Sequence, residues 1–259
     1  MLGAISGDII GSVFEAFPIK EKDFPLFSQG SIFTDDTVMT LAVARAILTD
    51  KDYGAHMVDL GRRYPHAGYG GRFASWLASG GGEPYNSFGN GSAMRVSPLG
   101  WAFETLEQTL EEAERSSVVT HNHPEGIKGA QSVAGAIYLA RHGIGKHEIM
   151  DWISETFGYD LDRLVEDIRP GYSFDVTCQG SVPEAIVAFL DADDFEDAVR
   201  NAVSLGGDAD TQACITGAIA EAFWGGVPSH IGEKAISILD PFLRDIYLEF
   251  RDRFNLAKY

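Results

Sequence analysis

Residues 33–37 read FTDDT (Phe33, Thr34, Asp35, Asp36, Thr37), and residues 206–211 read GGDADT (Gly206, Gly207, Asp208, Ala209, Asp210, Thr211). A run that is apolar on nearly every face follows the first, VMTLAVARAIL at 38–48, and an Ala/Gly-rich run follows the second, ACITGAIAEAFW at 213–224. Such runs, entered through Asp and Thr, predict two buried helices with polar N-caps. The two acidic helix starts, far apart in the chain, are expected to face one another.

Capping is the plain reading of each site, because one Asp or Thr satisfies orphan backbone N–H groups and complements the helix dipole. Capping needs a single side chain, however, and here Asp35, Asp36, Asp208 and Asp210 flank helices whose bodies read as buried. Carboxylates in a buried region must be neutralised by protons, hydrogen bonds or a cation. Oxygen-only ligands of this hardness suit magnesium or manganese, and four carboxylates can hold two such ions.

Upstream, Gly3, Gly7 and Gly11 recur every fourth residue among Leu2, Ile5, Ile9, Ile10 and Val13. On a helix they form one flat stripe that lets another backbone approach closely. Asp8 and Glu15 then lie two turns apart near one face, Asp8 being equally readable as a hydrogen-bonded core acid or as support for a metal site. Residues 18–32, with two prolines, mixed charge and no period, read as a loop able to act as a flap. The stretch 62–91 reads as a long functional loop broken by a short helix around 73–77.

Two further segments carry polar groups suited to a ligand. Gly89, Asn90, Gly91 and Ser92 lack the P-loop pattern and the third glycine of GxGxxG, but the backbone N–H groups of such a turn can wrap phosphate oxygens. Thr120, His121, Asn122 and His123 hold a His-x-His pair without HExxH or PCxxC. That pair is open to three readings: a helix-start histidine, a zinc site, or contact with a ribose or phosphate through either imidazole. Helices are expected at 106–119, 127–139, 147–157, 161–168, 181–190 (Pro183 at its start) and 195–205, with 191–197 a solvated acidic connection.

Ten or so helices with hardly any alternating strand pattern predict an all-α fold, a single compact orthogonal bundle with long functional loops, over residues 1–259 as one domain. A net charge of −18 and a pI of about 4.6 argue against nucleic-acid or anionic-membrane binding through the overall field. No signal-peptide pattern or membrane span is expected. Cys178 and Cys214 are too few for a disulfide scaffold, so a cytoplasmic setting is the simplest. The oligomeric state stays open, a monomer being the simpler expectation.

Four segments in order, FTDDTVMT (33–40), GNGSAMRVSPLG (89–100), THNHPEGIKGA (120–130) and GGDADTQACITGAIAEAFWG (206–225), resemble the ADP-ribosylglycohydrolase family, and the likeness covers nearly the whole chain. The resemblance implies an all-helical fold and hydrolysis of the bond between ADP-ribose and an acceptor, an arginine or serine of a protein or a small conjugate. It implies a pair of Mg2+ or Mn2+ ions held by Thr34, Asp35, Asp36, Asp208, Asp210 and Thr211. Glu15, Asp36 and Asp208 are its catalytic candidates; Gly89, Asn90, Gly91, Ser92 and at least one of His121 and His123 are its substrate-binding candidates. A non-catalytic ADP-ribose binder or structural protein of the same fold and a metal-dependent phosphohydrolase built on Asp208-Ala209-Asp210 are the competing readings; the second expects a parallel sheet, for which no βαβ pattern exists here.

Overall fold

A computed structural model describes residues 1–257. In chain order its helices are α1 (Leu2–Glu15), α2 (Asp35–Leu48), α3 (Tyr53–Arg63), α4 (Gly71–Ser79), α5 (Gly91–Met94), α6 (Ser97–Ala102), α7 (Leu106–Val118) and α8 (Pro124–Arg141). They continue as α9 (Lys146–Phe157), α10 (Val165–Ile168), α11 (Cys178–Leu190), α12 (Phe195–Ser204), α13 (Ala209–Trp224), α14 (Ser229–Ile238) and α15 (Pro241–Arg253). The described residues contain no strand; an isolated antiparallel bridge joins Gly89 to Thr177. The fold is all-α, and no described helix is long and apolar enough to cross a membrane.

α13 is the axis. It is buried along nearly its whole length and packs against α1, α12, α11 and α8. Its contact with α1 is a backbone-to-backbone approach made by the glycine stripe. A Cβ added to Gly3, Gly7 or Gly11 would lie 2.0, 1.9 or 2.4 Å from the carbonyl oxygen of Gly217, Ala213 or Ala209. Only glycine fits there, and at that separation α1 and α13 hold their polar residues side by side. α2 packs against α1, α3, α6 and α15. One contiguous apolar cluster runs from Met1 to Leu256.

Local differences from the sequence reading have local causes. The helix expected over 161–168 is confined to α10, because the Asp191 carboxylate accepts from Val165 N–H (3.0 Å) and starts the turn there. Pro183 does not open α11 but lies inside it, since the Thr177 hydroxyl caps Gly180 N–H (3.1 Å) and begins the helix earlier. The described residues form fifteen helices against the ten or so expected, α14 and α15 among the additions.

The 18–32 loop is fastened along its first half. Lys20 Nζ donates to the carbonyls of Tyr172 (2.6 Å) and Leu205 (2.5 Å), Lys22 pairs with Asp197 (2.5 Å), and Arg200 donates to the carbonyls of Lys22 and Phe24 (both 2.8 Å). Phe17 and Ile32 stay exposed at either side of this anchored segment.

Candidate active site

The starts of α2 and α13 meet, and α1 fastens the first of them. Asp8, fully buried on α1, accepts from Thr34 N–H (3.0 Å), Thr34 Oγ1 (2.7 Å), Thr37 N–H (3.1 Å) and the Thr37 hydroxyl. Thr34 Oγ1 in turn accepts from Asp36 N–H (3.3 Å), the N-cap bond of α2. At α13, Asp208 Oδ2 accepts from Asn90 Nδ2 (2.7 Å), whose amide also reaches Ser181 Oγ (3.2 Å). Thr211 Oγ1 bridges the two starts by donating to Asp36 Oδ2 (3.3 Å).

Two triads of carboxylates result. Oxygens of Asp8, Asp36 and Asp210 lie within 4.8 Å of one another, and so do those of Glu15, Asp208 and Asp210, with Asp210 common to both. Burial, reinforced by the neighbouring acids, pushes Asp35 up to about 8 and Asp36 and Asp210 well above the ordinary carboxylate value. Burial likewise raises Asp8 to about 6 and lifts Asp208 in spite of the hydrogen bonds each accepts. The buried Asp36 Oδ1 has no hydrogen-bond partner among the described residues. Clustered acids that repel one another and keep an orphaned oxygen call for a positive charge at their centre. The hard oxygen donors are therefore compatible with a divalent metal ion.

All of these acids but Asp8 line one cleft of about 450 Å³. Of the candidate residues, Glu15, Thr34, Asp35, Asp36, Gly89, Asn90, Gly91, His121, Asp208, Asp210 and Thr211 line it. Ser92 and His123 do not. Ser92 is buried behind the turn, donating to the Gly126 carbonyl (2.7 Å), and His123 caps α8 by accepting from Glu125 N–H (3.1 Å). Two amides of the turn are also committed: Gly89 N–H donates to Ser87 Oγ (3.2 Å) and Asn90 N–H to the Val176 carbonyl (2.8 Å). A larger hollow of about 630 Å³ near Lys51, Trp76 and Arg115 holds no such carboxylate triad among the described residues, so chemistry rather than size picks out the cleft.

The same cleft is also lined by two cations, Arg72 and Arg95, which no sequence motif singles out. Arg72 donates to the Tyr85 carbonyl and lies 4.8 Å from that ring's centroid; Arg95, 1% exposed, donates to the Ser116 carbonyl (2.9 Å) and to Thr120 Oγ1 (3.1 Å). No carboxylate of the described residues pairs with either guanidinium at 4.0 Å or less. Burial, then the charges of Arg95 and Arg72, hold His121 well below the ordinary imidazole value, so its ring is neutral. Phe174 and Val176 form an exposed apolar rim. An arginine in an apolar turn, as in SAMRV, is the one signal that pointed to Arg95; Arg72 and Tyr85 sit in a stretch without a period.

Comparison with known proteins agrees with this architecture. The family model described as ADP-ribosylglycohydrolase matches residues 1–253. ADP-ribosylhydrolase ARH3 of Xenopus tropicalis is 26% identical over 302 residues, covering 87% of this chain and 86% of that protein. ADP-ribosylarginine hydrolase Tri1 of Pseudomonas putida (strain GB-1) is 28% identical over 273 residues, covering 90% of this chain and 72% of that protein. A solved structure titled ADP-ribosylglycohydrolase-related protein complex superposes with a TM-score of 0.73 at 26% identity, over 99% of this chain and 97% of that one. A match that runs through both acidic helix starts and nearly to the end of the sequence leaves no doubt of descent: the chain belongs to the ADP-ribosylglycohydrolase family.

Proposed function

We propose that this chain hydrolyses the glycosidic bond between ADP-ribose and a protein side chain, an arginine or a serine, and releases ADP-ribose. One observation carries the reading. One cleft is lined both by the clustered acids Glu15, Asp35, Asp36, Asp208 and Asp210 and by two guanidinium groups without a carboxylate partner beside a neutral imidazole. A molecule with a polyhydroxylated ring at one end and a diphosphate beyond it matches that lining. The name of the Pseudomonas relative, an ADP-ribosylarginine hydrolase, supports the arginine acceptor.

Two Mg2+ or Mn2+ ions fit the donor set, with Thr34, Asp35, Asp36, Asp208, Asp210 and Thr211 holding them. When bound, such ions fix ribose hydroxyls and acidify a water. The rest falls to the protein. The reaction builds positive charge on the ribose, and carboxylates around the reacting carbon stabilise it. Glu15 stands at the mouth with a carboxyl raised by partial burial and by the charges of Asp208 and Asp8, which suits it to carry a proton. Asp36 and Asp208 complete the acidic wall, and Asn90 fixes the rotamer of Asp208.

We further infer that the chain works as one domain, as a monomer and in the cytoplasm, a reducing setting that suits its two free, buried thiols, Cys178 and Cys214. Its net charge of −18 suits a protein partner rather than a nucleic acid. The deciding assay follows free ADP-ribose released from ADP-ribosylated arginine and serine substrates with magnesium, with manganese and with chelator. Release that stops on chelation and returns on metal addition supports the proposal; phosphate release from simple esters in place of ADP-ribose defeats it.

A further inference from the structure

The chain Arg95–Thr120–His121 has only one satisfied proton inventory. Arg95 Nη2 can only donate, so Thr120 Oγ1 accepts from it at 3.1 Å. Thr120 is fully buried, and the other polar atom within reach of its hydroxyl is His121 Nδ1, at 2.7 Å. Were Nδ1 to carry the ring proton, the threonine hydrogen would be buried with no acceptor, a cost that native interiors avoid. The hydroxyl therefore donates to Nδ1, and the proton of the ring sits on Nε2. Nε2 has no partner among the described residues and faces the Gly89–Gly91 turn, where a Cβ added to Gly91 would lie 3.3 Å away. Glycine keeps that side of the imidazole open.

We infer that Arg95 and Thr120 are positioning residues that fix the tautomer of His121, so that a neutral imidazole offers Nε2–H as a hydrogen-bond donor to an anionic oxygen of the ligand. Under the hydrolase reading, on which the ligand half of this inference rests, that oxygen belongs to the diphosphate of ADP-ribose. A neutral donor suits the place: a third cation beside Arg95 and Arg72 would be repelled, whereas a neutral N–H adds direction without charge. The tautomer half stands on the geometry alone.

Long-range proton–nitrogen NMR correlation on nitrogen-15-labelled protein tests it, since the pattern of an imidazole separates Nε2–H from Nδ1–H. The chain has 7 histidines, and a His121→Gln variant assigns the signal. Wild type is expected to show His121 as the Nε2–H tautomer. Thr120→Val, nearly isosteric but unable to donate, should shift it towards Nδ1–H and weaken ADP-ribose binding about tenfold, the effect of one hydrogen bond. Thr120→Ser should restore both. A wild-type Nδ1–H pattern, or a Thr120→Val protein with unchanged tautomer and unchanged affinity, overturns the relay. A wild-type chain that neither binds nor releases ADP-ribose overturns the hydrolase reading instead, and the tautomer spectrum still decides the relay.

Discussion

The hydroxyl of Thr211 lies 3.3 Å from Oδ2 of Asp36, 175 positions earlier in the chain. That contact joins the first turns of α2 and α13 across the acid cluster, so each motif completes a site the other cannot form. Beside it, carboxylate oxygens of Asp8, Asp36 and Asp210 lie within 4.8 Å of one another.

Charge removal on either side should therefore act on metal binding and on the empty cluster in opposite directions. Asp36→Asn and Asp210→Asn are each expected to lower activity at least about a hundredfold, the usual scale for losing a key charged group at a reaction centre. In the metal-free protein the same changes relieve like-charge repulsion, so the melting temperature should hold or rise. A saturating divalent ion should stabilise wild type by about 2.7 kcal/mol at a hundredfold excess over Kd, roughly 5–10 °C for a chain of this size. Both variants should lose most of that shift. Thermal scans with and without magnesium check this, and a full metal shift in both variants would sink the shared-site account.

Stability of the chelated protein should fall as pH rises. Burial sets Asp8 at about 6 and Asp35 at about 8, both above the ordinary 3.8, so the folded state keeps protons that the unfolded chain releases. The stabilisation from those protons is fully present below about pH 4 and is lost as pH climbs through 6 and then 8. A divalent ion competes with the same protons and binds more tightly as they leave, so the loaded protein should hold its melting temperature across that window. Scans at pH 5, 6, 7 and 8 with chelator and with magnesium test the crossing; two parallel curves would contradict it.

Gly7→Ala should be among the most damaging single changes in the chain. Its methyl would sit 1.9 Å from the Ala213 carbonyl oxygen, a backbone atom that moves only if α1 and α13 separate. Overpacking of a rigid contact costs about 3 kcal/mol at the upper end of its usual range. Separating these helices also draws Asp8 away from Asp210, so metal affinity should fall along with stability. Gly71→Ala, where an added Cβ meets nothing within 4 Å, is the control and should leave urea unfolding almost unchanged.

The glycine stripe and the two acidic starts were legible in the sequence because each rests on a short-range rule, the helical period and the preference of Asp and Thr for N-caps. The contacts around Arg72 and His121 were not. Arg72 and Tyr85 are joined through a cation over a ring and a carbonyl, which leaves no spacing to read. His121 and His123 look equivalent as His-x-His, yet one residue of separation at the entry of α8 turns His123 into a cap and His121 into the cleft. Asp8 is an evident oddity in an apolar helix, but the hydrogen bonds it accepts from Thr34 and Thr37 depend on where α2 begins, a tertiary fact. Pro183 misled for a related reason, since Thr177 had already started the helix.

Glu15 is the acid whose substitution best separates binding from chemistry. It leaves the end of α1, the helix that α13 holds by the glycine contact, and so reaches the mouth of the cleft from a different element than the acids of α2 and α13. Its carboxylate comes within 4.8 Å of Asp208 and Asp210 while staying open to solvent, the position of a group that can exchange protons between substrate and water. Burial first, and the charges of Asp208 and Asp8 next, raise its affinity for a proton. Glu15→Gln keeps the shape and removes the charge, so the affinity for ADP-ribose should change only a few-fold. If Glu15 carries the proton, kcat should fall on the order of 10² to 10⁴ and the acidic limb of the pH–rate profile should flatten. Isothermal titration with ADP-ribose beside steady-state kinetics gives both readings. An unchanged kcat would remove Glu15 from the chemistry and leave the proton acceptor among Asp35, Asp36, Asp208 and Asp210. A parallel loss of affinity and kcat would make it a metal or substrate ligand.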